Sequence, residues 1–557
     1  VNLKPEENLK QFDVYPEFEL IRLIRFSVRS VSQLHFMLLI LPLAALLSNT
    51  AWAEALPPLS FEAKSLGENT KSHKISALKF SGNVALTTND LNAVAKVFIG
   101  QDLGNAESET LRQQLTKYYV ERGFLFADIR VAPQADKNGV LVIEINEGRL
   151  AEIRIRGTEG LSPDYISKRL GDQAGPLNVN TLIDSYRLLL NDPLFKNINS
   201  SLLPGAEPGL ALLDVEVVRA MPYKMDVYVN NFHPPAIGET ALGVSGWLRN
   251  LTGRGDVLEF GAEHTQGSNP VNLSWSTPIA TSTTMVSFSY SQGKSSVIEE
   301  PMRTINIESM VTRYELGISR PVVESLSRRV SLGLAYAEEK SATTLSGIPF
   351  SFTPGEVDGV TRNKTLRLSQ DWSEVGTVSV FTLHSLFNFG RNNNQGGDLN
   401  APDRQCLYWN GQASWIGNLL ENGTQLVLRG TLQRSRNRLL SMDRSSIGGV
   451  NTVRGYRENQ LVRDRSTMGS IELRFPILSG GKTGHSLQLV PFVDAGIGAN
   501  QGESSDSLRS AGIGVNWRYT GWHADLNWAS RLKSVPAPAN QVTQDRGIHF
   551  QLGYNFF

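Results

Sequence analysis

Two kinds of hydrophobic patterning follow one another along the chain. From residue 222 onward apolar and polar residues alternate with a period of two, segment after segment, and helical spacing is absent. In the last segment Ile548, Phe550, Leu552, Tyr554 and Phe556 fall on one face, His549, Gln551, Gly553 and Asn555 on the other. Trp522, Ala524, Leu526 and Trp528 alternate with His523, Asp525 and Asn527; Ile471, Leu473, Phe475 and Ile477 alternate with Glu472, Arg474 and Pro476. One alternating strand is common to sandwiches and barrels. About 16 in succession, with no helix between them, predict an all-β transmembrane barrel of antiparallel strands. The predicted connections also alternate in length. Short ones fall at 251–256, 418–423 and 518–521, long ones at 294–306, 338–363, 391–403, 434–465 and 532–546. Short turns on one side of the membrane and long loops on the other suit such a barrel.

Between 74 and 221 the pattern is mixed. Strands are predicted at 75–80, 126–131 and 140–145, and helices at 88–97 and 108–122. Leu111, Leu115, Tyr118 and Tyr119 share one side of the second helix, and Gly123 closes it. The order strand, helix, helix, strand, strand then repeats. Ile153-Arg154-Ile155-Arg156-Gly157 echoes Leu78-Lys79-Phe80-Ser81-Gly82. Helices at 163–170 and 179–191 and strands at 198–203 and 210–218 complete the second copy. Each copy is a small α+β unit with two helices on one face of a sheet, which leaves a sheet edge open.

The first 73 residues fit neither pattern. Arg22, Arg25 and Arg29 precede an apolar run from Phe36 to Leu47, and Ala51-Trp52-Ala53 follows. This is the layout of an export signal with an A-x-A cleavage site. The run is too short for a membrane helix, which needs ~20 residues. With no other long apolar stretch, a mature chain that spans a membrane does so as a closed barrel.

Composition narrows the function. Basic and acidic residues balance at 54 each, so nucleic acid is not an expected partner. The single cysteine, Cys406, allows no internal disulfide and suits passage through an oxidising compartment. No G-x-S-x-G or H-E-x-x-H occurs, and the eight histidines lack metal-ligand spacing. Gly480-Gly481-Lys482-Thr483 has the tail of a phosphate loop without its leading glycine, and reads as a turn. No enzyme activity, cofactor or metal is expected.

One pair of motifs stands out. The long connection at 434–465 carries Val453-Arg454-Gly455-Tyr456 in its middle. Further on, Phe492-Val493-Asp494-Ala495-Gly496 places Phe492, Asp494 and Gly496 on one face. A carboxylate facing lipid is costly, so that face is the lumen. Gly496, with no side chain, admits close approach by another backbone segment. The expectation is that the loop folds back into the barrel. Arg454 then pairs with Asp494, Gly455 supplies the bend, and Tyr456 packs against the wall.

Val453-Arg454-Gly455-Tyr456 followed by Phe492-Val493-Asp494-Ala495-Gly496 resembles the paired motif of the outer-membrane POTRA–barrel transporter superfamily. The two preceding repeats resemble POTRA domains. Two POTRA units and about sixteen strands resemble the TpsB branch, the two-partner secretion pores that export haemolysins and filamentous adhesins. The resemblance implies a signal-bearing extension at 1–53, a linker at 54–73, POTRA 1 at 74–148, POTRA 2 at 149–221 and the barrel at 222–557. It implies an outer-membrane location, with the POTRA units in the periplasm. Implied partners are a large secreted exoprotein, outer-membrane lipid and, during biogenesis, the barrel-assembly machinery reading the terminal Phe557. A loop-to-wall lock of Arg454, Gly455, Tyr456, Phe492, Asp494 and Gly496 is implied, and partner contact through Leu111, Leu115, Phe126 and Ile129. The prolines at 57 and 58 make a pore-plugging helix before the repeats a doubtful expectation. Rival readings are an outer-membrane protein assembly factor of the same superfamily and a general porin, for which periplasmic repeats serve no purpose.

Overall fold

The computed structural model describes residues 2–3 and 74–556, apart from 103, 172–174, 280–282, 481–483 and 537–539. The expected signal, linker and terminal Phe557 lie outside the described residues. Two units meet in the chain at Ala220 and Met221.

The first unit holds both repeats. In the first, β1 (Ala77–Ser81), α1 (Thr88–Ala95), α2 (Asn105–Glu121), β2 (Asp128–Val131) and β3 (Val140–Asn146) follow in order. The central β3 pairs parallel with β1 and antiparallel with β2. Thr87 and Asp90 form a capping box at the start of α1. Gly123, at φ +92°, ends α2 while the Phe124 amide reaches back to the Tyr119 carbonyl. Leu111, Leu115 and Tyr119 face the sheet from successive turns of α2 and are fully buried. Glu147 is also buried; it accepts the Ala85 and Leu86 amides and the Tyr119 hydroxyl. Burial, then this carboxylate, push that hydroxyl above its ordinary range.

The second repeat has the same order: β4 (Arg149–Arg156), α3 (Pro163–Leu170), α4 (Val179–Leu190), β5 (Phe195–Pro204) and β6 (Leu210–Arg219). Here β6 is central, parallel to β4 and antiparallel to β5. A two-residue strand, Asn2–Leu3, lies antiparallel along the outer edge of β5. The repeats are tied at the start of α4. Asn178 donates to the Arg122 carbonyl and the Val179 amide to Gly123.

The second unit is a closed barrel of sixteen antiparallel strands, β7 (Tyr223–Asn230) to β22 (Ile548–Phe556), which pair with each other at the seam. Leu316, Ile318, Leu332, Leu334, Trp522, Leu526 and Trp528 face outward. Glu315, Arg367, Asp371, Glu472, Asp494 and His549 face the lumen and are buried. Apolar-out, polar-in alternation is what lipid outside and water inside require. The predicted 338–363 connection is present but shorter: strands Arg328–Leu345 and Val360–Val375 take its two ends and leave 346–359 between them. Above the lipid both faces meet water, so alternation loses its hydrophobic signature while the backbone ladder continues. Cys406 is buried on strand Gln405–Asn418.

Candidate functional site

The segment between strands Gln425–Ser435 and Arg465–Gly480 folds into the barrel. Short strands Ser445–Ile447 and Leu461–Arg463 pair with each other and form its stem. Its tip bends at Gly455, at φ +89°, where an added Cβ would lie 2.9 Å from Ala529 Cβ and 3.0 Å from the Ala529 carbonyl oxygen. Only glycine fits that turn against the wall. Ile447, Val453 and Tyr456 are fully buried and pack with Met468 and Leu508 of the wall.

Arg454 lies between two strands of the wall. Its Nε and Nη2 donate to Asp494 Oδ2 and Oδ1 at 2.7 and 2.8 Å, a bidentate pair, and its backbone amide donates to Oδ2 at 3.1 Å. Nη1 sits 2.8 Å from Glu472 Oε1, and Nη2 donates to Ser470 Oγ at 3.0 Å. The guanidinium carbon lies 3.4 Å from the centroid of the Phe492 ring. Asp494 is 1% exposed and Arg454 6%, so the pair is out of bulk water. Glu472 also takes Arg429 at 2.7 Å and Arg474 at 3.3 Å, joining three guanidinium groups through one carboxylate.

The rest of the tip is held as closely. The Tyr456 hydroxyl is shared between the Arg509 and Lys533 carbonyls at 2.8 and 2.7 Å. Arg531 donates to the Gly455 carbonyl at 2.6 Å, and the Gly455 amide lies 3.3 Å from His549 Nε2. Arg457 reaches two other loops, pairing with Asp545 through two nitrogens and with Glu299 at 2.7 Å. The Asp545 hydrogen bonds, with Glu299 behind them, raise its pKa above the ordinary arginine value.

Arg454, Gly455, Tyr456, Phe492, Asp494 and Gly496 therefore meet in one place. Gly496 admits side chains rather than backbone: a Cβ there would lie 2.6 Å from Ile447 Cγ2 and 3.0 Å from Val453 Cγ2. Glu472, Ser470, Arg531, His549 and the Arg457 partners were not foreseen. For Glu472 a signal existed, because it faces the lumen on the strand paired with Phe492. The structure places the expected partner-contact residues in or against the repeat cores. Leu111, Leu115 and Ile129 are core residues of the first repeat, at most 2% exposed, and Phe126 packs against the core of the second. An amphipathic helix and a short strand must bury their apolar faces, and here the sheet takes them.

Residues 209–519 match the family model for the haemolysin secretion/activation protein ShlB/FhaC/HecB, and residues 73–148 match the ShlB-type POTRA domain. The outer membrane transporter CdiB of Dickeya dadantii is 21% identical over 500 residues, covering 86% of each chain. The heme/hemopexin transporter protein HuxB of Haemophilus influenzae is 24% identical over 193 residues, 34% of each chain. CdiB from Escherichia coli superposes with a TM-score of 0.68 at 17% identity, over 90% of this chain and 93% of that one.

Proposed function

The chain belongs to the haemolysin secretion/activation family ShlB/FhaC/HecB, outer-membrane transporters of the two-partner secretion type, and from that premise we propose that it exports one large, unfolded exoprotein. In this reading the periplasmic repeats capture the partner, the barrel conducts it, and the inserted loop is the element that yields. The observation that carries the proposal is the Arg454–Asp494–Glu472 cluster. A carrier that must stay shut between substrates needs its gate anchored, and a buried bidentate pair supplies such an anchor.

Capture is proposed to proceed by strand addition at the open sheet edges, where main-chain hydrogen bonds accept many sequences and side chains add choice. Support comes from β5, whose outer edge pairs with the Asn2–Leu3 strand. No nucleotide-binding motif supplies an energy source in this reading; folding of the cargo outside biases its direction. The cargo is haemolysin- or adhesin-like.

The test is a deletion strain carrying the partner exoprotein. The expected outcome is its loss from the medium with other outer-membrane proteins at normal levels. A general loss of barrels from the membrane would favour the assembly-factor reading instead. Entry of an unfolded exoprotein fragment into proteoliposomes without nucleotide tests independence from ATP.

A further inference from the structure

The outward face of the barrel carries a second charge cluster, remote from the inserted loop. On the paired strands Arg328–Leu345 and Val360–Val375, Lys340 stands directly opposite Arg362. One strand further, Lys364 stands directly opposite Arg391. All four side chains are exposed. Like charges directly across a ladder repel, and sheets normally avoid them. Two other outward cations are paired, Lys294 with Glu308 at 3.2 Å and Arg328 with Glu374 at 3.0 Å, and the outward Arg320 stands opposite Leu332, with no like charge across the ladder. Among the described residues the side chains of Lys340, Arg362 and Arg391 have no partner. Lys364 has one carboxylate, Glu338, directly opposite on its other side at 3.8 Å, so one acidic group stands against four cations.

The height of the cluster identifies what it meets. Below it on the same outward rows lie Tyr336, Leu366, Phe389 and Leu407, then Leu334 and Leu368, all exposed apolar side chains. From Lys364 the outward face runs through Leu366, Leu368, Gln370 and Trp372 to Glu374, ten residues on. At ~3.4 Å per residue and a tilt of ~45° those ten residues rise about 24 Å, the height of the lipid-facing band. The short connection between Glu324 and Arg328 lies at the lower end and the long one between Leu345 and Val360 at the upper. The cations therefore sit at the headgroup level of the outer leaflet, with acyl chains directly beneath.

We propose that Lys340, Arg362, Lys364 and Arg391 form a binding site for a phosphate-bearing glycolipid of the outer leaflet. Two phosphates on one acylated headgroup relieve both repulsive pairs at once, while the acyl chains cover Tyr336, Leu366 and Phe389. A single-phosphate lipid satisfies one pair only.

The test uses the full-length protein in non-ionic detergent and counts lipid adducts by native mass spectrometry. The probes are bisphosphorylated lipid A, the same lipid after phosphatase treatment, phosphatidylglycerol and inorganic phosphate. Bisphosphorylated lipid A is expected to bind at least tenfold more tightly than the dephosphorylated lipid or phosphatidylglycerol. The variant Lys340→Gln/Arg362→Gln/Lys364→Gln/Arg391→Gln is expected to lose at least tenfold. A control with four exposed repeat lysines changed, Lys79→Gln/Lys96→Gln/Lys168→Gln/Lys196→Gln, is expected to lose nothing. Glu338→Gln, which removes the carboxylate opposite Lys364, is expected to bind more tightly than the parent. Equal binding of phosphorylated and dephosphorylated lipid overturns the proposal, and so does a folded quadruple variant with parental affinity. Full displacement by millimolar inorganic phosphate would contradict a lipid source. The comparison among lipids on the unaltered protein decides the matter even if the quadruple variant fails to fold.

Discussion

Arg454→Ala removes one guanidinium from between two buried carboxylates, and the two are left in different states. Glu472 keeps Arg429 and Arg474. Asp494 loses both side-chain bonds and retains only the amide of residue 454, at 3.1 Å, if the loop stays in place. Removing one member of a buried ion pair costs about 3–5 kcal/mol, because the remaining charge is stranded away from water. Undocking the loop lets water reach Asp494, so most of that cost favours the released state. At 1.4 kcal/mol per decade the released population rises roughly 100- to 5,000-fold. Arg457 and Arg463 lie on the loop with side chains only 14% and 19% exposed. Tryptic cleavage at these two sites reports release, and while reclosing outpaces cleavage its rate follows the released population. The predicted result is cleavage faster by at least 100-fold, a barrel that still inserts, and lower secretion. Because the pair is buried, raising the salt changes the parent rate little. Cleavage within twofold of the parent would refute the claim that this cluster holds the loop. Charge exchange, Arg454→Asp with Asp494→Arg, is expected to rescue poorly, since a carboxylate at 454 would face Glu472.

Other expectations rest on single contacts. Tyr456→Phe removes the one hydroxyl proton shared by the Arg509 and Lys533 carbonyls, of which Arg509 keeps the Leu532 amide, and should cost about 1–3 kcal/mol of loop docking, read by the same cleavage assay. Gly496→Val puts methyl groups where Ile447 and Val453 already sit and should destabilise the docked loop by about 1–3 kcal/mol. Leu115→Ala should lower the stability of the first repeat by about 2–5 kcal/mol. It should shift the urea midpoint of that unit in the full-length protein without a selective loss of partner binding; a binding defect with unchanged stability would reinstate Leu115 as a contact residue.

What the sequence disclosed follows from which forces are local. Alternation along Trp522–Arg531 and Ile548–Phe556 is imposed by lipid on one side and water on the other, so it is written into neighbouring residues. The helices at Pro163–Leu170 and Val179–Leu190 are similarly marked by a proline at the first turn, an Asn cap and apolar spacing. The Arg454 and Asp494 motifs are each short but lie in order on a loop and a lumenal face, which made their meeting foreseeable. Glu472 is contributed by the neighbouring strand, and Glu299 and Asp545 by distant loops; no local pattern marks a residue whose partner is fixed only by barrel closure. The burial of Leu111, Leu115 and Ile129 was not legible for a related reason. The amphipathic spacing that suggests a docking face is the same spacing a small domain uses to build its core.

The proposed export requires that the inserted loop, anchored at rest, leave for cargo to pass. Val453→Cys with Gly496→Cys, in a Cys406→Ser background, tests both halves. Val453 Cγ2 lies 3.0 Å from the ideal Cβ position at Gly496, within disulfide reach for side chains whose Cβ atoms need to be ~3.5–4.5 Å apart. The account predicts that the bridge forms in the oxidising periplasm, that export of the partner stops, and that a reductant restores it. Quantitative cross-linking with export at the parental rate would contradict it.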